Sequence, residues 1–345
     1  MDNNTDFTTA ISTIYNVSGT ISVVTNLLMI ILILTKSPAQ FGGYAYLMMT
    51  ISLFEMLYSV LHIILIPMHI SQGSAMMVIS RSRTEIIRHP IQFILLLIYV
   101  AFFGASLSIF ALQFIYRHLV ITGSSLISSF NSWKLILWLM IPIAVGLLLA
   151  VDCSVFLDSD IETKEFLRNM THSVLGVELD DYEFIGVHLY EFDQSGTFTP
   201  NFDSMFSLIL EFVTVTLSLS VIFYFGINCY FNILNTLNAT HSQLNKNLQS
   251  QLFNALVLQT LIPVFFMHLP STIIFFCVIL SIDTGRYGAI LSTSIAIYPA
   301  LDPIPNFIII KSYRDAILDC ICWKKKKVQT SNCVITNGQF QSTSC

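Results

Sequence analysis

The sequence predicts an all-α membrane protein, a seven-transmembrane helix bundle with its N-terminus outside and its C-terminus in the cytoplasm. Three observations carry that expectation. First, 54% of the 345 residues are hydrophobic and only 11% are charged, whereas soluble domains carry about 25% charged residues. Second, the apolar residues gather in seven long segments that make up about half of the chain. These segments hold only three acidic or basic side chains, Glu55, Glu211 and Asp302. Third, basic residues divide unequally between the two sets of connecting segments, ten against six. A bilayer core of about 30 Å takes about 20 helical residues, and each helix satisfies its own backbone inside lipid.

The expected spans are 11–34, 44–68, 91–116, 135–151, 205–231, 252–280 and 287–310, after a short outer N-terminus at 1–10. The first run has no basic residue before it and is too long for a signal-peptide core, so it reads as a retained span. The side richer in lysine and arginine holds Lys36, Arg117, Lys134, Lys246, Lys311, Arg314 and Lys324 to Lys327. By the positive-inside rule that side is cytoplasmic. Sequons at Asn3 and Asn169 fall on the opposite side and are candidate glycosylation sites, while a third at Asn238 falls inside.

Between spans four and five, residues 152–203 carry twelve acids against Lys164 and Arg168. Two readings stand: a solvated extracellular loop, or a lid whose acids meet Arg81, Arg83 and Arg88. Cys153 finds no cysteine in the preceding outer loop, 69–90, so no disulfide ties this loop to span three.

Ionisable groups inside a bilayer face the bundle interior. Glu55 and Asp302 lie 11 and 8 residues from the inner ends of their spans, depths of about 16 and 12 Å. They form either a conformational switch or two separately satisfied neutral acids. Span seven holds Pro299, Pro303 and Pro305. These remove backbone donors and break the helical ladder, which suits a hinge facing the bundle. Span six repeats the device with Pro263 and Pro270, and His268 between them is either a buried hydrogen-bond partner or a ligand contact. In span three, Tyr99, Phe103, Ser106 and Phe110 recur at spacings of 4, 3 and 4 and share one face. Such a stripe is either packing or the wall of a small apolar pocket. With Glu211, Phe265, His268 and Ser294 these residues are the ligand-site candidates. After span seven, residues 311–322 form an amphipathic interfacial helix. Cys320 and Cys322 lie beside it, next to a lysine run that faces anionic lipid, and are palmitoylation candidates. Residues 323–345 read as a disordered, phosphorylatable cytoplasmic tail, a substrate for a receptor kinase or arrestin.

The stretch from Gln251 to Pro263, QLFNALVLQTLIP, resembles the span-six signature of the nematode serpentine chemoreceptors of the Str type, seven-transmembrane receptors of class r. The ending Tyr116-Arg117-His118 of span three, Tyr298-Pro299-Ala-Leu-Asp302-Pro303 of span seven, and Tyr44-Ala-Tyr46-Leu47-Met48 are similar to the family as well. The likeness runs from about residue 11 to residue 322. It implies a GPCR-like bundle in the ciliary membrane of sensory neurons. Such a receptor binds a small volatile odorant and activates a heterotrimeric G protein. Tyr116, Arg117, Lys311 and Arg314 are the coupling candidates, and Pro263 and Pro303 the hinge positions. The acid that precedes the arginine in rhodopsin-like receptors is replaced by Tyr116, and Asn306-Phe307 stands where a tyrosine would follow the Asp-Pro pair. A rhodopsin-style lock is therefore not expected.

A ligand-gated seven-helix channel subunit is the rival reading, and it would face the other way in the membrane. A transporter would show internal repeats and more paired charge. No motif of an enzyme, metal site or nucleotide loop occurs, and no basic-aromatic surface for nucleic acid, so neither catalysis nor a cofactor or metal is expected.

Overall fold

The computed structural model describes residues 2–81, 89–130, 132–157, 161–176, 179, 182–192, 198–237, 243–285 and 287–321. Helix α1 (Asp2–Lys36) stops just before Ser37-Pro38, because the residue preceding a proline avoids helical backbone. Helix α2 (Tyr44–Leu65) leads into a hairpin, β1 (Met68–Gln72) and β2 (Ala75–Arg81). Helix α3 (His89–Thr122) ends in a Schellman motif. There Gly123 adopts φ +65°, its N–H donates to Val120 O at 3.3 Å, and the Ser124 N–H donates to Leu119 O at 3.0 Å. The chain continues through α4 (Ile127–Phe130), α5 (Leu135–Phe156), α6 (Ile161–Leu175), β3 (Tyr182–His188), β4 (Tyr190–Phe192), β5 (Phe198–Pro200) and α7 (Phe202–Leu237). Helix α8 (Gln243–Pro263), a π-helical turn (Val264–His268) and α9 (Leu269–Ile279) form one long span. Helices α10 (Gly288–Leu301) and α11 (Ile304–Ile309) follow, then α12 (Lys311–Ile321).

Among the described residues six helices are long and apolar enough to cross a membrane, and Gly288–Ile309 with Lys311–Cys320, bent by 97° at their junction, gives a seventh when counted as one span. Their outer faces are greasy. On α5 alone Ile136, Leu137, Met140, Ile143, Leu147 and Val151 are exposed, an arrangement that only a lipid surround tolerates. The chain is a multi-pass membrane protein.

Of the two readings of the segment 152–203, a solvated loop or a lid, the structure has a lid that carries helix and strand. Strands β1, β2 and β3 form one antiparallel sheet, with Met68 opposite Ile79 and Met77 opposite Gly186. Alternation along β2 buries both of its faces. Met77 and Ile79 pack beneath α6 with Leu167 and Met170, while Met76 and Val78 turn toward the bundle with Ile185 and Val187. The α9–α10 connection fastens the same hairpin. Gly285 N–H donates to Ser71 O at 2.8 Å, and Asp283 Oδ1 accepts from the Gly73 N–H at 2.6 Å. The fold is thus mostly helical with a small β lid. Main-chain pairing, which charge counting cannot reveal, joins this lid to the 68–81 hairpin. Arg83 and Arg88 lie outside the described residues.

Polar groups between helices do specific work. Pro303 has no N–H, so the carbonyl of Pro299 loses its helical donor. Asn26 Nδ2 of α1 donates to that carbonyl at 3.0 Å, and Ser59 Oγ of α2 reaches Ser22 Oγ at 2.6 Å beside it. An unsatisfied buried carbonyl costs about 1–3 kcal/mol. Asn26→Ala should therefore lower the thermal midpoint of the detergent-solubilised protein by several degrees, at about 2–4 °C per kcal/mol. An unchanged midpoint would mean that another donor serves the carbonyl.

Candidate functional site

Under the lid lies a cavity of about 100 Å³. Met76 and Val78 of β2 and Ile185 and Val187 of β3 roof it. Its walls come from Tyr99 and Phe103 of α3, Asp152 and Cys153 of α5, Ser207 and Glu211 of α7, Ser271 and Phe275 of α9, and Leu291 of α10. A narrow annex of about 10 Å³ continues past Phe103 and Glu211 to His268. An engineered apolar cavity of about 150 Å³ accepts benzene, so this one suits a ligand of that size or smaller. His69 of β1 also lines it. Ser292 Oγ meets both the His69 backbone N–H and its Nδ1 at 2.8 Å. Burial pushes the His69 imidazole down to about 3, so it is neutral at physiological pH.

Of the ligand-site candidates, Tyr99, Phe103 and Glu211 line this cavity, and His268 lines the annex. Ser106 bonds His268 Nε2 at 2.9 Å, and the Phe103 ring sits 5.1 Å from the imidazole. The other three do not reach it. Phe110 belongs to a different buried cluster with Phe114, Ile222 and Phe253. Phe265 is 57% exposed on the outside of the bundle, and the half-buried Ser294 turns back to Leu291 O at 2.8 Å. Sequence reasoning missed the roof and Asp152. The signal for Asp152 was its place at the end of a span, where an acid reads as part of the loop.

Deeper in the bundle, an aromatic cluster joins the cavity wall to the buried acids. The Tyr58 ring lies 5.3 Å from Tyr99 and 6.0 Å from Tyr298. Glu55 and Asp302 are fully buried and lie within electrostatic reach of one another. Asp302 Oδ2 accepts from Gln259 Nε2 of α8 at 2.5 Å. Pro263 closes α8 immediately before the π turn. That turn is explained by Pro270, which cannot donate to Phe266 O. The Leu269 N–H instead reaches back five residues to Val264 O. Single π turns commonly mark functional sites.

At the far end, Arg117 is 1% exposed. Its guanidinium carbon lies 3.6 Å from the centre of the Tyr44 ring, and Nη1 donates to Gln249 Oε1 of α8 at 2.9 Å. Tyr116 is buried too, stacked on Tyr44 at 5.9 Å, with its hydroxyl donating to Phe41 O at 3.3 Å. Neither side chain forms part of the surface in this conformation. Gln251, the first residue of the span-six signature, accepts from the Lys311 N–H at 3.0 Å and so ties α8 to α12. Lys311 and Arg314 are exposed, Arg314 with Asp315 Oδ1 3.8 Å from its Nε. Asn169 and Cys320 are exposed. The side chain of Asn3, all of Cys322, Asn238 and the tail lie outside the described residues.

Residues 11–318 match the family described as serpentine type 7TM GPCR chemoreceptor Str. The chain is 32% identical over 324 residues to "G-protein coupled receptor str-217" of Caenorhabditis elegans, covering 91% of this chain and 92% of that one. It is 26% identical to "Serpentine receptor class r-10" of the same organism, covering 94% of each. Squid rhodopsin shares the fold, with a TM-score of 0.50 at 12% identity over 92% of this chain and 86% of that one. With nearly its whole length matched by the family and by its relatives, this chain belongs to the Str family of serpentine seven-transmembrane GPCR chemoreceptors.

Proposed function

We propose that this chemoreceptor binds a small volatile molecule in the cavity beneath the β lid and activates a heterotrimeric G protein at the α12 end. The lid end faces outward and the α12 end the cytoplasm, in the ciliary membrane of a sensory neuron. The observation that carries the reading is that one span serves both sites. Ser271 and Phe275, beyond the π turn, line the cavity, while Gln249, before it, holds Arg117. A ligand shifts an equilibrium only by its differential affinity for two states. A pocket whose wall moves with α9 has such a difference built in. In the resting state Gln249, Gln251 and Gln259 hold α8 against α3, α12 and the span-seven break. Pivoting at Pro263 and the π turn releases these contacts and uncovers Arg117. Together with Lys311 and Arg314 it then meets the G protein. Lipidation of Cys320 would pin α12 to the bilayer, and the tail would recruit a receptor kinase or arrestin.

The test is an odorant panel on cells expressing the full chain, read as calcium and as membrane current, with and without a block of G-protein exchange. Responses should vanish under the block, and Asn169→Gln should remove a glycan. A fast current that survives the block, with Asn169 never glycosylated, would overturn the reading in favour of a channel of opposite topology.

A further inference from the structure

The cavity is not uniformly apolar. Its roof is hydrocarbon, but the wall between α5 and α7 places Asp152, Ser207 and Glu211 together. Asp152 and Ser207 are each 5% exposed, and apart from one another Asp152 Oδ1 and Ser207 Oγ have no hydrogen-bond partner among the described residues. Asp152 lies within electrostatic reach of Glu211, and Ser207 lies beside Asp152. Glu211 lines both the cavity and the annex. Among the described residues no lysine or arginine lines either space. The two histidines there are engaged, His69 through Nδ1 with Ser292 and His268 through Nε2 with Ser106. His69 is moreover held neutral by burial. Two carboxyls facing one dry space repel when ionised, and a cation placed between them removes that repulsion.

The geometry points to a small monoamine as the ligand class. Its ammonium group sits between Asp152 and Glu211 and donates a third hydrogen bond to Ser207 Oγ. Its alkyl body lies against Phe103, Val78 and Val187. An ammonium carries three donors, matching these three acceptors. The body fits in about 100 Å³. This inference rests on the reading that the cavity is the ligand site. It adds the chemistry that the site selects.

The probes are isobutylamine, with isobutanol and 3-methyl-2-butanone as neutral counterparts of similar size, applied to cells expressing the full chain. Isobutylamine should activate the receptor more potently than either neutral probe. Asp152→Asn and Glu211→Gln keep the side-chain shape and remove the charge. Each should raise the half-maximal isobutylamine concentration at least tenfold, with surface delivery unchanged by antibody labelling. Val187→Trp, which fills the cavity from the roof, should abolish every response. If a neutral probe activates and isobutylamine does not, or if neither charge-removing variant moves the amine response, the amine assignment is overturned. The cavity reading then survives only if Val187→Trp still silences the receptor. A full response from a surface-delivered Val187→Trp variant overturns the cavity reading itself.

Discussion

Replacing Arg117 by alanine should silence signalling while leaving the receptor at the cell surface, and replacing its partner Gln249 should raise the basal output. Both effects follow from one contact. The guanidinium is buried over Tyr44 and donates across to α8, so parting α8 from α3 breaks a charged hydrogen bond. A hydrogen bond to a charged group contributes about 1.5–3 kcal/mol. Each 1.4 kcal/mol is tenfold in an equilibrium constant. Gln249→Ala should therefore favour the open state by roughly ten- to a hundredfold, seen as ligand-independent signalling. Gln249→Glu converts the contact to an ion pair and should lower basal output and weaken the response to ligand. Arg117→Ala loses the group proposed to meet the G protein, so opening no longer transmits anything. Basal signalling that is identical in wild type, Gln249→Ala and Gln249→Glu would show that this contact does not hold the resting state.

A second large effect is expected where α3 and α5 touch. A Cβ placed on Gly146 would lie 2.4 Å from Ala101 O and 3.1 Å from its carbonyl carbon. The obstacle is backbone, which cannot rotate aside as a side chain does. Small residues permit this kind of close helix approach in membranes, where packing rather than water-driven burial holds helices together. Overpacking commonly costs about 1–3 kcal/mol even where side chains can adjust, and here two helices must part. Gly146→Leu should therefore be retained inside the cell, with surface labelling reduced more than tenfold. Gly123→Ala is the comparison. It strains a φ of +65° but meets nothing within 4 Å, and it should still reach the surface. Surface labelling equal to wild type for Gly146→Leu would show that the two helices are free to separate there.

The bundle was legible in the sequence because a span writes itself as a run of apolar residues, and the break at Asp302-Pro303 because proline deletes a donor wherever it stands. That Glu55 and Asp302 lie at similar depths could be read from their positions in spans two and seven, whereas the choice between a switch and two separately satisfied acids could not. The lid stood as one of two readings of 152–203, but its strands could not be read. Its strands are buried on both faces, so Ala75–Arg81 and Tyr182–His188 lack the polar alternation that announces a strand facing water. The ligand site was legible in part for two geometric reasons. Phe110 keeps the angular position of Tyr99 but lies 11 residues along the helix, about 16 Å deeper. Phe265 falls inside the π turn, where the helical count slips and a facing deduced from 3.6 residues per turn no longer holds. Arg117 reads as an interfacial anchor by its position at the end of the expected span. Only the continuation of α3 to Thr122 shows that it is an interior residue.

The lid has one more consequence. Cys153, Cys229, Cys277 and Cys320 are all free thiols among the described residues, so what holds the cover's own strands together there is a ladder of main-chain hydrogen bonds from Ala75–His188 to Arg81–Tyr182. Each rung is individually weak, on the order of 1 kcal/mol, and the ladder can fray and re-zip without chemistry. In the proposed orientation, odorant capture is therefore indifferent to reductants in the surrounding fluid. On the proposed reading, the rate at which the cover admits and releases a guest would be set by warmth, through the thermal breathing of a latch that needs no enzyme to open it and none to make it close again.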